Sequence, residues 1–256
     1  MHAVLLADIG NSQLGISLAT QTSRLATIHL PSATESAVIQ DAITSMLSAA
    51  KAHVSCAYIS SVVPEVAKRF TSLCSEAFGC QTLFVPKDIP IPLASTYQSK
   101  GLGSDRLLAC YAAKTHAPKA QACIVVDMGT AITIDVLKED TFLGGFILPG
   151  PKLFAKVLHD ETAQLPLVEP TVMETFQIGQ STETCIRYGI SLGVIAMLSG
   201  LIARTKAWIR VPSVVIATGG FAQAFGQQEF FDAVYPDLVL DGLFSCIQAC
   251  TSTTST

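Results

Sequence analysis

Short apolar runs, each broken by a single acid or a cluster of turn residues, set the rhythm of this chain. VLLAD from Val4, GISLAT from Gly15 and RLATIHL from Arg24 read as strands separated by polar turns, which predicts a three-stranded meander. Pro31 to Thr34 ends that pattern. From Glu35 to Lys51 the apolar residues Val38, Ile39, Ile43, Met46 and Leu47 recur at helical spacing. VSCAYISSVV, from Val54 to Val63, reads as a buried strand, and Pro64 opens a helix carrying Val66, Phe70 and Leu73. A short strand from Gln81 to Val85 completes a βββαβαβ order for the first half.

The second half repeats that order. CIVVD and ITIDVL predict a hairpin, and TFLGGFILPG supplies a third strand. Helical segments follow, then VPSVVIATGG, a strand ending in Thr218-Gly219-Gly220. DLVLDGLFSCIQAC closes the chain before a tail, Thr251 to Thr256, that has nothing to bury and is expected to fray. Overlaid at an offset of 119 positions, VLLADIGNSQLGISL brings Asp8 onto Asp127, Gly10 onto Gly129 and Leu18 onto Leu137. An acid at the end of a buried strand, followed by a glycine and a hydroxyl, is how a hairpin offers backbone N–H groups to phosphate. The polar stretch KTHAPKAQ at 114–121 marks the break, so the expected domains are 1–116 and 117–256. Two such halves face to face define an α/β architecture of duplicated ribonuclease H-like units, the actin-like ATPase fold.

Composition narrows the picture without redirecting it. With 256 residues, half of them hydrophobic and only 14% charged, the chain can bury a large core and is no disordered polymer. The net charge of −4 and scattered basic residues argue against a nucleic-acid partner. Eight cysteines form no CxxC pair, and several sit inside apolar runs, as expected of buried thiols in a reducing cytoplasm. The first apolar run is broken by Asp8 and follows no basic segment, so no signal peptide is expected. One stretch, Tyr188 to Ala203, is uncharged and contains a Gly189-xxx-Gly193 spacing. Its 16 residues between Arg187 and Arg204 fall short of a bilayer span, so it is expected in a core or a subunit interface, not in a membrane.

Standard nucleotide motifs are absent: there is no GxxxxGK[ST], and Gly101-Leu102-Gly103 is followed by Arg106 where GxGxxG needs glycine. Phosphate binding therefore falls to the hairpins. In Asp8-Ile9-Gly10-Asn11-Ser12 the glycine permits close backbone approach, the next two residues add short polar groups, and Asp8 can hold hydrated Mg²⁺. One such copy is also an ordinary β-turn composition, and the second at Asp127-Met128-Gly129-Thr130 tips the balance toward phosphate. Gly103-Ser104-Asp105-Arg106 opens the apolar helix LLACYAA. Those charges could simply cap the helix, or Asp105 could serve as a base while Arg106 offers a forked donor to an anionic group. His53 and His159 are isolated and carry no catalytic role.

Taken in order, DIGNS (8–12), SSVVP (60–64), GSDR (103–106), DMGTAIT (127–133), GGFILPG (144–150), IGQSTETCIRYG (178–189) and ATGG (217–220) resemble the type III pantothenate kinases. The likeness runs nearly the whole length and also takes in LP at 165–166 and DLVLDGL at 237–243. It departs at Ser12, where threonine is frequent, and in QSKGL between Tyr97 and Gly103, where the family usually carries a proline and one more residue. The resemblance implies ATP-dependent phosphorylation of pantothenate, the first step of coenzyme A biosynthesis. By position it implies that Asp8, Ile9, Gly10, Asn11, Ser12, Gln13, Leu14 and Gly15 form the first ATP phosphate loop, with Thr130 contacting ATP from the second. Asp105 would be the general base, and Tyr97, Gly103, Ser104, Asp105, Arg106 and Thr182 would line the pantothenate pocket. Asp127 would ligate a monovalent cation, K⁺ or NH₄⁺, required beside Mg²⁺. It further implies a cytoplasmic homodimer. Two other readings stay open at this point: a non-catalytic nucleotide-binding regulator on the same fold, and a kinase of another small hydroxylated substrate.

Overall fold

A computed structural model of the chain describes residues 1–98, 101–173 and 175–253. The chain divides into two compact units, the first formed by 1–116 together with 237–256 and the second by 117–236.

In the first unit, β1 (His2–Ile9), β2 (Gln13–Ala19) and β3 (Arg24–Pro31) form the expected antiparallel meander. α1 (Ser36–Ala50) leads to β4 (His53–Ser61), and α2 (Pro64–Phe78) leads to β5 (Gln81–Phe84). β4 lies parallel to β1, and β5 parallel to β4, giving the sheet order β3-β2-β1-β4-β5. One sheet face carries Leu5, Ala7, Ile9, Leu14, Ile16, Ala57 and Ile59 into a core closed by Ile39, Ile43 and Met46 of α1 and Phe70, Leu73 and Cys74 of α2. Val38, placed on that stripe by spacing, is 51% exposed instead. Pro64 begins α2, where a missing N–H costs nothing, and Gly79 ends it in the left-handed conformation. After β6 (Ala94–Ser95) comes α3 (Ser104–His116).

The second unit starts with β7 (Ala122–Met128), β8 (Ala131–Lys138) and β9 (Thr141–Pro149), again an antiparallel meander. α4 (Pro151–Asp160) and α5 (Thr182–Ile209) precede β10 (Ser213–Thr218), and α6 (Ala222–Phe225) precedes β11 (Ala233–Val234). β10 is parallel to β7 and β11 to β10, so the unit's strands run β11-β10-β7-β8-β9. Numbered from each unit's own start, both sheets have the order 3-2-1-4-5. That shared order, with its shared mixture of antiparallel and parallel pairs, is the duplicated ribonuclease H-like topology expected from the sequence.

Three expectations change. The closing helix α7 (Leu238–Thr253) belongs to the first unit, not the second. It packs on α3 with Gly242 against the Leu108 carbonyl, so close that any Cβ at 242 would collide. An ionic cluster adds to this: Arg24 reaches Asp237 (3.2 Å) and Asp241 (2.7 Å), His29 meets Asp237 (2.9 Å) and His116 meets Asp241 (3.0 Å). Within the tail expected to fray, 251–253 continue α7, while 254–256 lie outside the described residues.

α5 is also longer than its uncharged run. Ser181 caps it through a reciprocal pair in which its hydroxyl accepts from Thr184 N and Thr184 Oγ1 accepts from Ser181 N (2.9 Å), so the helix starts at Thr182 and extends 28 residues. By length and composition alone it could cross a membrane. One face of it, including Ile186, Ile190, Val194, Leu198, Ile202 and Ile209, is packed into the second unit's core with Ile124, Val126, Ile132 and Ile134. The eight cysteines are free thiols: Cys74, Cys80, Cys110, Cys123 and Cys246 are buried as expected, whereas Cys56 and Cys250 are partly exposed and Cys185 is exposed, and burial pushes Cys123 up to about 11.

Candidate active site

Asp8, the last residue but one of β1, pairs with Gly15, with Ile9 opposite Leu14, leaving Gly10, Asn11 and Ser12 as a three-residue tip. Gly10 N–H turns inward to the Gln13 carbonyl (2.9 Å), so this glycine closes the turn itself, and Asn11, Ser12 and Gln13 are the exposed residues of the tip. The side chains of Ile9 and Leu14 are fully buried, which leaves only their backbone for any ligand. Gly15 is buried beneath α7, with Leu240 and His29 against its Cα.

The tip is braced by a residue the sequence reading missed. Ser32 Oγ donates to the Gly10 carbonyl (2.6 Å), Ser32 N donates to the Ser12 carbonyl (3.1 Å), and Arg69 of α2 donates to the Ser32 carbonyl (2.8 Å). Ser32 follows Pro31 in what reads as a mere breaker, so nothing local signals its task.

Gly103-Ser104-Asp105-Arg106 does open a helix. Ser104 begins α3 with its hydroxyl buried against Ser60 Oγ of β4 (2.9 Å), a second pairing invisible in the sequence. Asp105 stands half-buried in the first turn, where a negative charge is favoured by the helix dipole. Its Oδ1 accepts from Arg106 N (2.8 Å), and the same oxygen lies where a Cβ on Gly103 would be, so residue 103 must be glycine to let the carboxylate sit there. The buried Arg106 guanidinium lies over the Tyr97 ring, 5.6 Å from its centroid. Tyr97 thus adjoins the GSDR segment despite the short run before Gly103, of which Ser99 and Lys100 lie outside the described residues. These side chains all belong to the first unit, and the structure brings them together as a cluster.

In the second unit Asp127, the last residue but one of β7, lies opposite Thr133, and Gly129-Thr130 forms a tip of only two residues. Gly129 N–H closes this turn onto the Ala131 carbonyl (3.0 Å), the counterpart of Gly10 to Gln13 with one residue fewer. The offset of 119 therefore holds along the first strand of each hairpin and breaks at the turn. Leu5 pairs with Leu18 whereas Ile124 pairs with Val136, so Val136, not Leu137, is the true counterpart of Leu18. Backbone holds this tip: Gly150 N donates to the Thr130 carbonyl (2.9 Å) and Phe221 N to the Met128 carbonyl (3.0 Å). Gly219 has φ +91°, and a Cβ there would collide with Asp127 Oδ1 and stand 2.7 Å from Met128 N. Gly150 of the GGFILPG motif and Gly219 of the ATGG motif accordingly wall this turn. Thr130 is exposed at the tip. Thr182 is exposed at the start of α5 and is not among the residues Gln177, Ile178, Gln180, Thr184 and Tyr188 that line an open groove of about 460 Å³.

Among the described residues no three His, Cys, Asp or Glu side chains gather as a metal cage. An ion held chiefly by nucleotide phosphates needs only one or two protein carboxylates. Asp8 and Asp127, each near a strand end with hard oxygen donors, suit that chemistry and not a soft metal.

The fold has solved counterparts. A Campylobacter jejuni structure described as a Baf family transcriptional activator matches with a TM-score of 0.61 at 22% identity, covering 97% of this chain and 99% of that one. The ethanolamine utilization protein EutJ of Carboxydothermus hydrogenoformans matches with a TM-score of 0.52 at 15% identity, covering 95% and 88%. With the 3-2-1-4-5 order repeated in both units, these likenesses define the class as an actin-like ATPase fold. At the level of family, residues 4–204 match the model for type III pantothenate kinase. The type III pantothenate kinase of Nitratidesulfovibrio vulgaris (strain Miyazaki F) is 37% identical over 249 residues, 93% of this chain and 94% of that protein. The chain belongs to the type III pantothenate kinase family.

Proposed function

We propose that this protein transfers the γ-phosphoryl group of ATP to the primary hydroxyl of pantothenate, the reaction that opens coenzyme A biosynthesis, with Asp105 as general base. Membership of the family supports the reaction. The observation that carries the assignment of the base is the placement of Asp105, half-buried at the start of α3 beside the stacked Arg106 and Tyr97. Phosphoryl transfer asks the protein for positioning and charge neutralisation more than for covalent chemistry. Asp105 accepts the hydroxyl proton as that oxygen bonds to the γ-phosphorus and ADP departs. Arg106, fixed by its stacking on Tyr97, gives directional donors to the anionic end of pantothenate. The tip at 8–15 cradles phosphate, Thr130 adds an ATP contact, and Thr182 belongs to the pantothenate pocket.

Asp8 would hold Mg²⁺ together with the nucleotide, and Asp127 would hold K⁺ or NH₄⁺. The cations supply neutralisation of charge on the phosphate oxygens.

The working form in this reading is a cytoplasmic homodimer with no nucleic-acid or membrane partner. The second unit exposes the large apolar side chains Ile147 of β9, Val157 of α4 and Trp208 of α5, which a second copy could cover. The packed face of α5 supports a place in protein and not in lipid.

An ADP-release assay tests the reaction. Turnover is expected with pantothenate and not with simple sugars, and it should rise when K⁺ is added. Turnover with a sugar alone, or with neither substrate, would sink the proposal. Sedimentation at micromolar concentration tests the dimer.

A further inference from the structure

The phosphate hairpin and the base helix of the first unit are joined through a residue with no assigned task. Ser60 lies at the end of β4, in register with Asp8 across the parallel pair β1–β4, so both side chains stand on the same sheet face. It is fully buried, and its hydroxyl hydrogen-bonds the buried hydroxyl of Ser104 at 2.9 Å. Ser104 is the first residue of α3 and Asp105 the second. The start of α3 is thereby tied to the strand beside Asp8, at the carboxyl end of the parallel strands, where open α/β sheets bind their ligands.

The carboxylate then has little room. Gly103 walls one side of Asp105 Oδ1, and Arg106 N–H holds the same oxygen at 2.8 Å. Neither contact fixes where the helix start itself stands; within this cluster the Ser60–Ser104 bond does. A serine inside a buried strand is otherwise a poor choice, since its hydroxyl must find a partner.

We propose that Ser60 is a positioning residue for phosphoryl transfer, setting through Ser104 the distance between the base Asp105 and the phosphates held beside Asp8. This rests on the kinase reading above. Displacing a reacting group by about 1 Å costs up to about 100-fold in rate. Ser60→Ala is accordingly expected to lower kcat about 10- to 100-fold while leaving KM for ATP within about twofold. In an Asp105→Asn background the same substitution should cost almost nothing further, because Ser60 acts through the base. Should Ser60→Ala fail to fold, Ser60→Cys fills the site with a slightly larger side chain that keeps a weaker S–H donor, and should fall between wild type and the expected alanine value. A normal kcat in the Ser60 variants, or an undiminished loss in the Asp105→Asn background, overturns the positioning role alone. Absence of pantothenate turnover by the unaltered chain overturns the kinase reading and this inference with it.

Discussion

The two hairpins began as one pattern and are held in opposite ways. In the first, a three-residue tip is braced from Ser32, whose hydroxyl holds Gly10 and whose N–H holds Ser12, with the Arg69 side chain behind it. In the second, a two-residue tip is gripped by backbone, with Gly150 and Phe221 donating to it and Gly219 pressed against Asp127. A tip held by side chains can lose one hydroxyl and keep its path. At Gly150 and Gly219, which wall the second tip, an added methyl group would run into backbone. The proposed base sits in neither: Asp105 belongs to α3, whose first residue, Ser104, hydrogen-bonds Ser60 of β4.

The strongest way to break this division of labour is at Asp105. Asp105→Asn is expected to lower kcat about 10²- to 10⁴-fold with ATP affinity retained, measured by steady-state turnover and nucleotide titration. A near-normal kcat there, with Asp127→Asn inactive, would move the base into the second hairpin. Next comes Gly219→Ala, which sets a methyl group against Asp127 at a left-handed φ and should cost about 1–3 kcal/mol in denaturant unfolding. It should also blunt the response to K⁺, and an unchanged midpoint and K⁺ response would contradict the wall described for that turn. Ser32→Ala, the matching loss in the first hairpin, should cost about 1 kcal/mol and raise KM for ATP more than it lowers kcat. If it proves costlier than Gly219→Ala, the contrast between side-chain and backbone bracing is reversed.

The smallest effect concerns how α7 is kept on the first unit. The hydrogen bond from His29, then the charge of Arg24, hold Asp237 below the ordinary carboxylate value of 3.8, against the opposing pull of burial. A carboxylate with a lowered folded pKa stabilises above its unfolded value, and that contribution is lost as pH falls through the folded one. Asp237→Asn should therefore melt slightly below wild type at pH 5, by under about 1 kcal/mol, and the gap should close below about pH 3.8. A gap that widens in acid would show the sign to be wrong.

Legibility followed the range of the interaction. Strand and helix identities in the first half emerged almost intact, because period-2 and period-3.6 patterns report burial within a few residues. The duplicated acids, GSDR and the terminal glycines were likewise readable, since turns and helix starts are local. Val38 was misplaced because spacing names a stripe but not its width. Ser181 escaped notice because its partner at the third helical position is a threonine and not the glutamate of the usual capping pair. Ser32 and Ser60 were silent, as one hydroxyl among many has no pattern until its partner is known.

The sequence by itself determined the repeated βββαβαβ order, the two strand-end acids and the family, all encoded in contiguous motifs and local periodicity. Only the tertiary structure decided that α7 returns to the first unit, that the second turn is one residue shorter, and that Ser60 ties the start of α3 to the strand beside Asp8. Those outcomes rest on contacts between residues far apart in the chain, such as Gly242 on Leu108 and Ser60 on Ser104, which no local spacing can announce.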